Sequence, residues 1–253
     1  MMRKIAILFG GLATLLLGTS AAAQEPQEPA AYGHEPVFAP RRSLSASDTG
    51  EGTPTSIAAA SRAAELTVGF NYIAGMGSLQ RGTAIGDVVN GGVAASVGGA
   101  YRITPRISVG LEGEYQEYMR GSALESSAAA RGLGGDVFMT YHFMPYSHFD
   151  PWLRLGTGYH ALWTVHANAP NVAWQGFELA RVAVGFDTRT SADVALGPMI
   201  GADVGTFLWD KQGGASNSAI ADPRVSTFVY AGIQGRFEIG GVRQRAGSAM
   251  AMR

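Results

Sequence analysis

Between residues 93 and 118 the chain reads VAASVGGAYRITPRISVGLEGEYQEY, a two-residue periodicity that doubles back at Thr104-Pro105-Arg106. In its second half Ile107, Val109, Leu111 and Tyr115 fall on one side, and Ser108, Glu112, Glu114 and Gln116 on the other. A period of two places successive side chains on opposite faces of a strand, so the stretch predicts an antiparallel hairpin with one apolar and one polar face. One hairpin leaves open which face looks inward.

The pattern recurs until eight segments are accounted for: 65–75, the two halves of the opening hairpin, 132–143, 152–163, 177–188, 194–208 and 224–240. Leu66, Val68, Phe70 and Tyr72 oppose Thr67, Gly69 and Asn71 in the first. In the fourth, Leu133, Val137, Met139, Tyr141 and Phe143 oppose Asp136, Thr140 and His142. The first half of 177–188 is ambiguous in phase. Long reversals at 76–90, 119–131, 164–175 and 209–223 alternate with short ones at 104–106, 144–151 and 189–193. An even strand count with reversals of alternating length predicts an all-β fold, a closed antiparallel eight-stranded transmembrane β-barrel with apolar residues toward lipid and polar ones toward the lumen. Pro198 lacks the donor that a closed barrel needs and is expected near the rim or at a bulge.

Composition agrees. Charged residues are 15% and glycines 35 of 253, as suits lipid-facing positions that exclude charge and a crowded lumen that favours small residues. Residues 1–23 carry Arg3-Lys4, an apolar run from Ile5 to Leu17, and Ala21-Ala22-Ala23, the three-part layout of a secretory signal peptide. Residues 24–63, with Pro26, Pro29, Pro36, Pro40 and Pro54 among Ala, Ser and Thr, predict a flexible periplasmic segment. Arg41-Arg42 or residues 32–38 within it are a candidate docking arm. The barrel is expected over 64–240 and a short flexible tail over 241–253. Without Arg3 and Lys4, 17 basic residues face 20 acidic ones, a balance that argues against nucleic acid as a partner. With no Cys, disulfide and thiolate chemistry are excluded.

From about residue 65 to 240 the chain resembles the small eight-stranded outer-membrane barrels, the group of OmpA's membrane domain and OmpX. The leader, strand alternation and reversal asymmetry carry the resemblance, and no short diagnostic motif does. It implies a bacterial outer-membrane location, a role in envelope integrity, adhesion or resistance without catalysis, and surroundings of outer-membrane lipid and lipopolysaccharide. It also implies handling by the barrel assembly machinery, which reads a terminal aromatic residue, here Phe237 at an internal position.

Inward positions predict a lumen ion network of Glu112, Glu114, Asp136 and Arg181 at mid-height, with Arg154 and Arg236 nearer the periplasm and Asp203 nearer the outside. Trp152, Trp163, Trp174 and Trp209 lie near strand ends and are expected in interfacial aromatic belts. No catalytic, cofactor or metal site is expected: there is no phosphate-cradling glycine loop and no metal-ligand spacing. The alternatives are a narrow channel for small or hydrophobic solutes and a lipid A-modifying enzyme. The latter would draw on His160 or His166 with Ser122, Ser126 or Ser127. An extracellular ligand is left unspecified.

Overall fold

A computed structural model describes residues 58–167 and 169–243. The signal peptide, the candidate docking arm, most of the Pro-rich segment and residues 244–253 lie outside the described residues.

Eight long strands form the wall: β1 Ala63–Gln80, β2 Val89–Thr104, β3 Ile107–Arg120, β4 Ala129–His142, β5 Phe149–Val165, β6 Val172–Arg189, β7 Val194–Gln212 and β8 Val225–Ile239. Each pairs antiparallel with its chain neighbours, and β8 pairs with β1 from Ala64↔Ile239 to Gly77↔Ser226. The barrel is closed, so no strand presents an unpaired edge. The short reversals and the outer ends of β1 and β8 share one rim, the turn end; the opposite rim is the loop end.

The apolar sides point outward. Leu111 is 62% exposed, Val137 52% and Val184 47%, whereas Glu112, Asp136 and Arg181 on the opposite parity are buried. A soluble sandwich would bury the first set. A closed wall that turns Leu, Val, Ile and Phe to its surroundings is stable only in hydrocarbon, since lipid then takes the place of a protein interior. Along β4 the outward face from Tyr141 to Arg131 carries no charge before Arg131. Ten residues at about 3.3 Å each and a tilt of about 40° rise about 25 Å, the height of an outer-membrane apolar band.

The strands run past that band on the loop side. Much of the expected 164–175 loop is wall, with Trp163↔Ala173 and Thr164↔Val172 still paired. Polar outward residues above the lipid read as loop in the sequence but as strand in the fold. Pro198 lies near the turn end of β7, and pairing with β6 lapses between Gly185↔Met199 and Thr188↔Leu196, so the missing donor is accommodated there.

The ambiguous half of β6 contains a β-bulge. Glu178 pairs with Gly205 but Ala180 with Val204, which leaves Leu179 and Ala180 both facing out. Even-numbered Trp174, Gly176 and Glu178 point inward before it, and odd-numbered Arg181, Ala183 and Asp187 after it.

Candidate functional site

The interior is occupied in three storeys. At the turn end, Arg102 forms ion pairs with Glu65 through Nε and with Glu238 through Nη2 at 3.4 Å. Arg189 pairs with Glu238 and Arg236 with Asp187. His142 Nδ1 lies 2.8 Å from Asp150 Oδ2, while Nε2 meets Arg102 Nη2 at 3.3 Å and Arg236 Nη1 at 3.2 Å. A guanidinium only donates, so Nε2 is the acceptor and Nδ1–H donates to Asp150. Trp152 Nε1 donates to Asp187 at 3.0 Å. His142, Asp150 and Asp187 stand close enough together to suggest a metal centre. Their ligand atoms are already engaged by Arg, Trp and the Met144 backbone N–H, so the donor set does not fit a cation.

The chain entering β1 closes this rim. Ala58, Ala59 and Ala60 are buried. Ala59 N donates to Pro145 O at 2.7 Å, Ala60 N to Glu238 Oε2 at 3.1 Å, and Ser61 and Val242 exchange backbone hydrogen bonds. The flexible segment expected to reach residue 63 is therefore tied down from 58 onward, and Arg243, just past β8, pairs with Asp193.

The middle storey centres on Arg181. Its Nη2 lies 2.9 Å from Glu114 Oε2, Nη1 3.2 Å from Asp136 Oδ1, and Nε 3.4 Å from Asp203 Oδ1. The Tyr230 ring lies 4.9 Å beneath the guanidinium. Arg154 donates to Glu112 at 2.9 Å and stacks on Phe138 at 4.1 Å. Asp203, expected nearer the outside, is level with Arg181 because the two are paired across β6 and β7. Arg236 belongs to the turn-end cluster.

The loop-end storey is apolar. Ile73, Leu79, Val89, Leu162, Trp174, Phe207 and Phe228 line it. Ile85 and Val88, on the one-turn helix α1 (Ile85–Val88), and Ile220 from the last loop close over it. Backbone N–H groups of Gly121, Ser122 and Ala123 donate to the carbonyls of Val88, Gly86 and Asp87, so the second loop clamps the helix. Gly121 is required there, since a Cβ would lie 2.3 Å from the Asp87 carbonyl carbon.

Two of the four tryptophans leave the expected belts. Trp152 is 2% exposed and Trp174 7%, both inside the barrel. Trp152 shares the inward parity of Arg154, and the bulge sets Trp174 inward. Trp163 and Trp209 remain on the outer wall, Trp209 meeting Phe177 edge-on at 5.9 Å. Outward aromatic girdles form instead around Tyr159, Phe177 and Trp209 at one level. At the other, Tyr141 packs on Phe143 and Phe149 on Phe186.

The candidate catalytic residues do not converge. His160 is buried, its Nε2 2.9 Å from Gln116 Oε1, and His166 Nε2 lies 3.0 Å from Thr164 Oγ1. Ser122 donates to Asp87. Ser226 lines the same small cavity as His160, but its hydroxyl donates to Gly205 O. Among the described residues no serine is hydrogen-bonded to an acid-oriented histidine.

No known protein family and no curated protein matches the chain. Among solved structures it is similar to Neisserial surface protein A, at 11% identity over 69% of this chain and 96% of that one, with a TM-score of 0.45. The outer membrane protein OprG from Pseudomonas aeruginosa is similar at 14% identity, 72% and 98% coverage, and a TM-score of 0.43. Ail, the attachment invasion locus protein of Yersinia pestis, gives 10%, 70% and 99%, and 0.40.

Proposed function

We propose that this protein is a sealed, non-catalytic outer-membrane barrel with a structural or surface-interaction role. The filling of the lumen carries this reading: among the described residues a strap crosses the turn end, two storeys of buried charged side chains occupy the middle, and an apolar plug lies under three loops. An eight-stranded wall is just wide enough for side chains to fill, and here they do.

By the usual asymmetry of such barrels the turn end faces the periplasm and the loop end the exterior. Lipid would surround the uncharged belt. Lipopolysaccharide would meet the outer rim, where Arg131 pairs with Glu117 at 3.2 Å. Phe237, outward on β8 and 41% exposed, is where the assembly machinery would engage the last strand.

Planar-bilayer recording tests the proposal. Purified full-length protein should insert, migrate differently on gels before and after heating, and give no unitary conductance steps. Reproducible steps would replace this reading with that of a narrow channel.

A further inference from the structure

A small cavity opens in the middle storey between Glu178 and Asp203, walled also by His160, Ser226 and Phe228. It exists because neighbouring inward positions lack side chains: Gly205 pairs with Glu178 across β6 and β7, and Gly176 precedes Glu178 on the same face. The space accommodates about one water-sized sphere.

Its walls carry buried acids without hydrogen-bond partners. Glu178 is 2% exposed and Asp203 1%, yet none of their four carboxylate oxygens has a hydrogen-bond partner, Asp203 Oδ1 meeting Arg181 Nε only as an ion pair at 3.4 Å. The storey is also short of positive charge. Among the described residues, the buried carboxylates Glu112, Glu114, Asp136, Glu178 and Asp203 share only the guanidinium groups of Arg154 and Arg181. His160 does not supply the difference: its Nε2 is committed to Gln116, and Nδ1 is 3.9 Å from Glu178, beyond hydrogen-bond reach. Ser226 spends its hydroxyl hydrogen on Gly205 O at 3.2 Å, so toward the cavity it has only lone pairs to offer.

We propose that this cavity binds a hard divalent cation of the calcium class, held by the carboxylates of Glu178 and Asp203 with Ser226 Oγ as a neutral ligand. Calcium sheds its waters readily and accepts bidentate carboxylates in irregular geometry, whereas magnesium demands a near-octahedral shell in which it keeps several waters. The ion offsets most of the negative charge that the guanidinium groups of Arg154 and Arg181 leave uncompensated. With both rims covered, it enters as the wall closes around it and is released only when the barrel opens.

The test refolds the full chain from denaturant into detergent micelles with calcium chloride, removes loose ions with a chelator, and measures metal content. Wild type should retain about one calcium ion per chain, and its heat-shift midpoint should fall when refolding is done with chelator throughout. Glu178→Gln and Asp203→Asn should each lower retained calcium roughly tenfold, while Asp222→Asn in the exposed last loop should not. Should the variants fail to assemble, the wild-type measurements decide. Wild type that retains no calcium and melts identically with and without it would overturn the proposal, and so would calcium retained equally by Glu178→Gln.

Discussion

Arg181 on β6 reaches Glu114 on β3 across the lumen, Nη2 to Oε2 at 2.9 Å, and so joins strands that are not neighbours in the wall. The same guanidinium also serves Asp136 and Asp203, which makes it the hub of the middle storey. Arg181→Met leaves these carboxylates without their shared partner. A loss of about 3–5 kcal/mol is expected for breaking such a buried pairing, read as a lower urea midpoint for vesicle-embedded protein. Glu114→Gln keeps a hydrogen-bond acceptor and removes one of several crowded anions, so it should cost much less.

Leu111 and Val137 are paired directly across β3 and β4 on the outer face, near the middle of the apolar band. Leu111→Arg should destabilise the folded barrel by about 2–4 kcal/mol in bilayers. The same substitution at Met119, beyond the band at the loop end of β3, should cost less than about 1 kcal/mol. Equal penalties at the two sites would contradict the placement of the membrane.

Quenching separates the four tryptophans by location. Brominated lipid should dim Trp209, which packs on Phe177 on the outer wall, more than Trp163, which is level with Arg131 at the edge of the band, and leave Trp152 and Trp174 bright. Single-tryptophan variants, each with the other three changed to Phe, resolve the contributions. Trp152→Phe should itself lower stability by about 1–3 kcal/mol, because Asp187 Oδ1 loses the indole donor in a buried site.

Gly121→Ala forces a methyl group against the Asp87 backbone, and main chain cannot yield as a flexible side chain can. The clamp on α1 should loosen, exposing residues 85–88 and 121–124 to added protease while the wall stays intact. Overpacking of this kind costs about 1–3 kcal/mol. Unchanged cleavage would mean that the loops do not hold the helix.

The wall was legible because β1, β3, β4 and β8 keep one parity throughout, so Leu66, Val109, Val137 and Ile233 declare the outside and Thr67, Glu112, Asp136 and Gln234 the inside. Legibility failed where parity changes or where pattern runs into a turn. Glu178 was missed because the bulge at Leu179–Ala180 shifts its phase relative to Arg181. In the turn-end cluster His142 and Glu238 share the inward parity of Asp136 and Gln234, whereas Glu65, Arg102, Asp150 and Arg189 come from strand ends, where alternation is too short to assign. Trp152 follows Pro151 beside a turn and reads as an interfacial residue, although its shared parity with Arg154 pointed inward. Ile85, Val88 and Ile220 lie in irregular loops, and no periodicity announces that they fold back over the mouth.

The bulge in β6 makes the barrel's inner chemistry hang on a single extra residue. On an uninterrupted strand Glu178 and Arg181, three apart, would look to opposite sides, and one of them would have to stand in oil. Deleting Ala180 should therefore act as a frameshift in space: it leaves every remaining side chain chemically unaltered, but turns either the acid or the base out of the lumen.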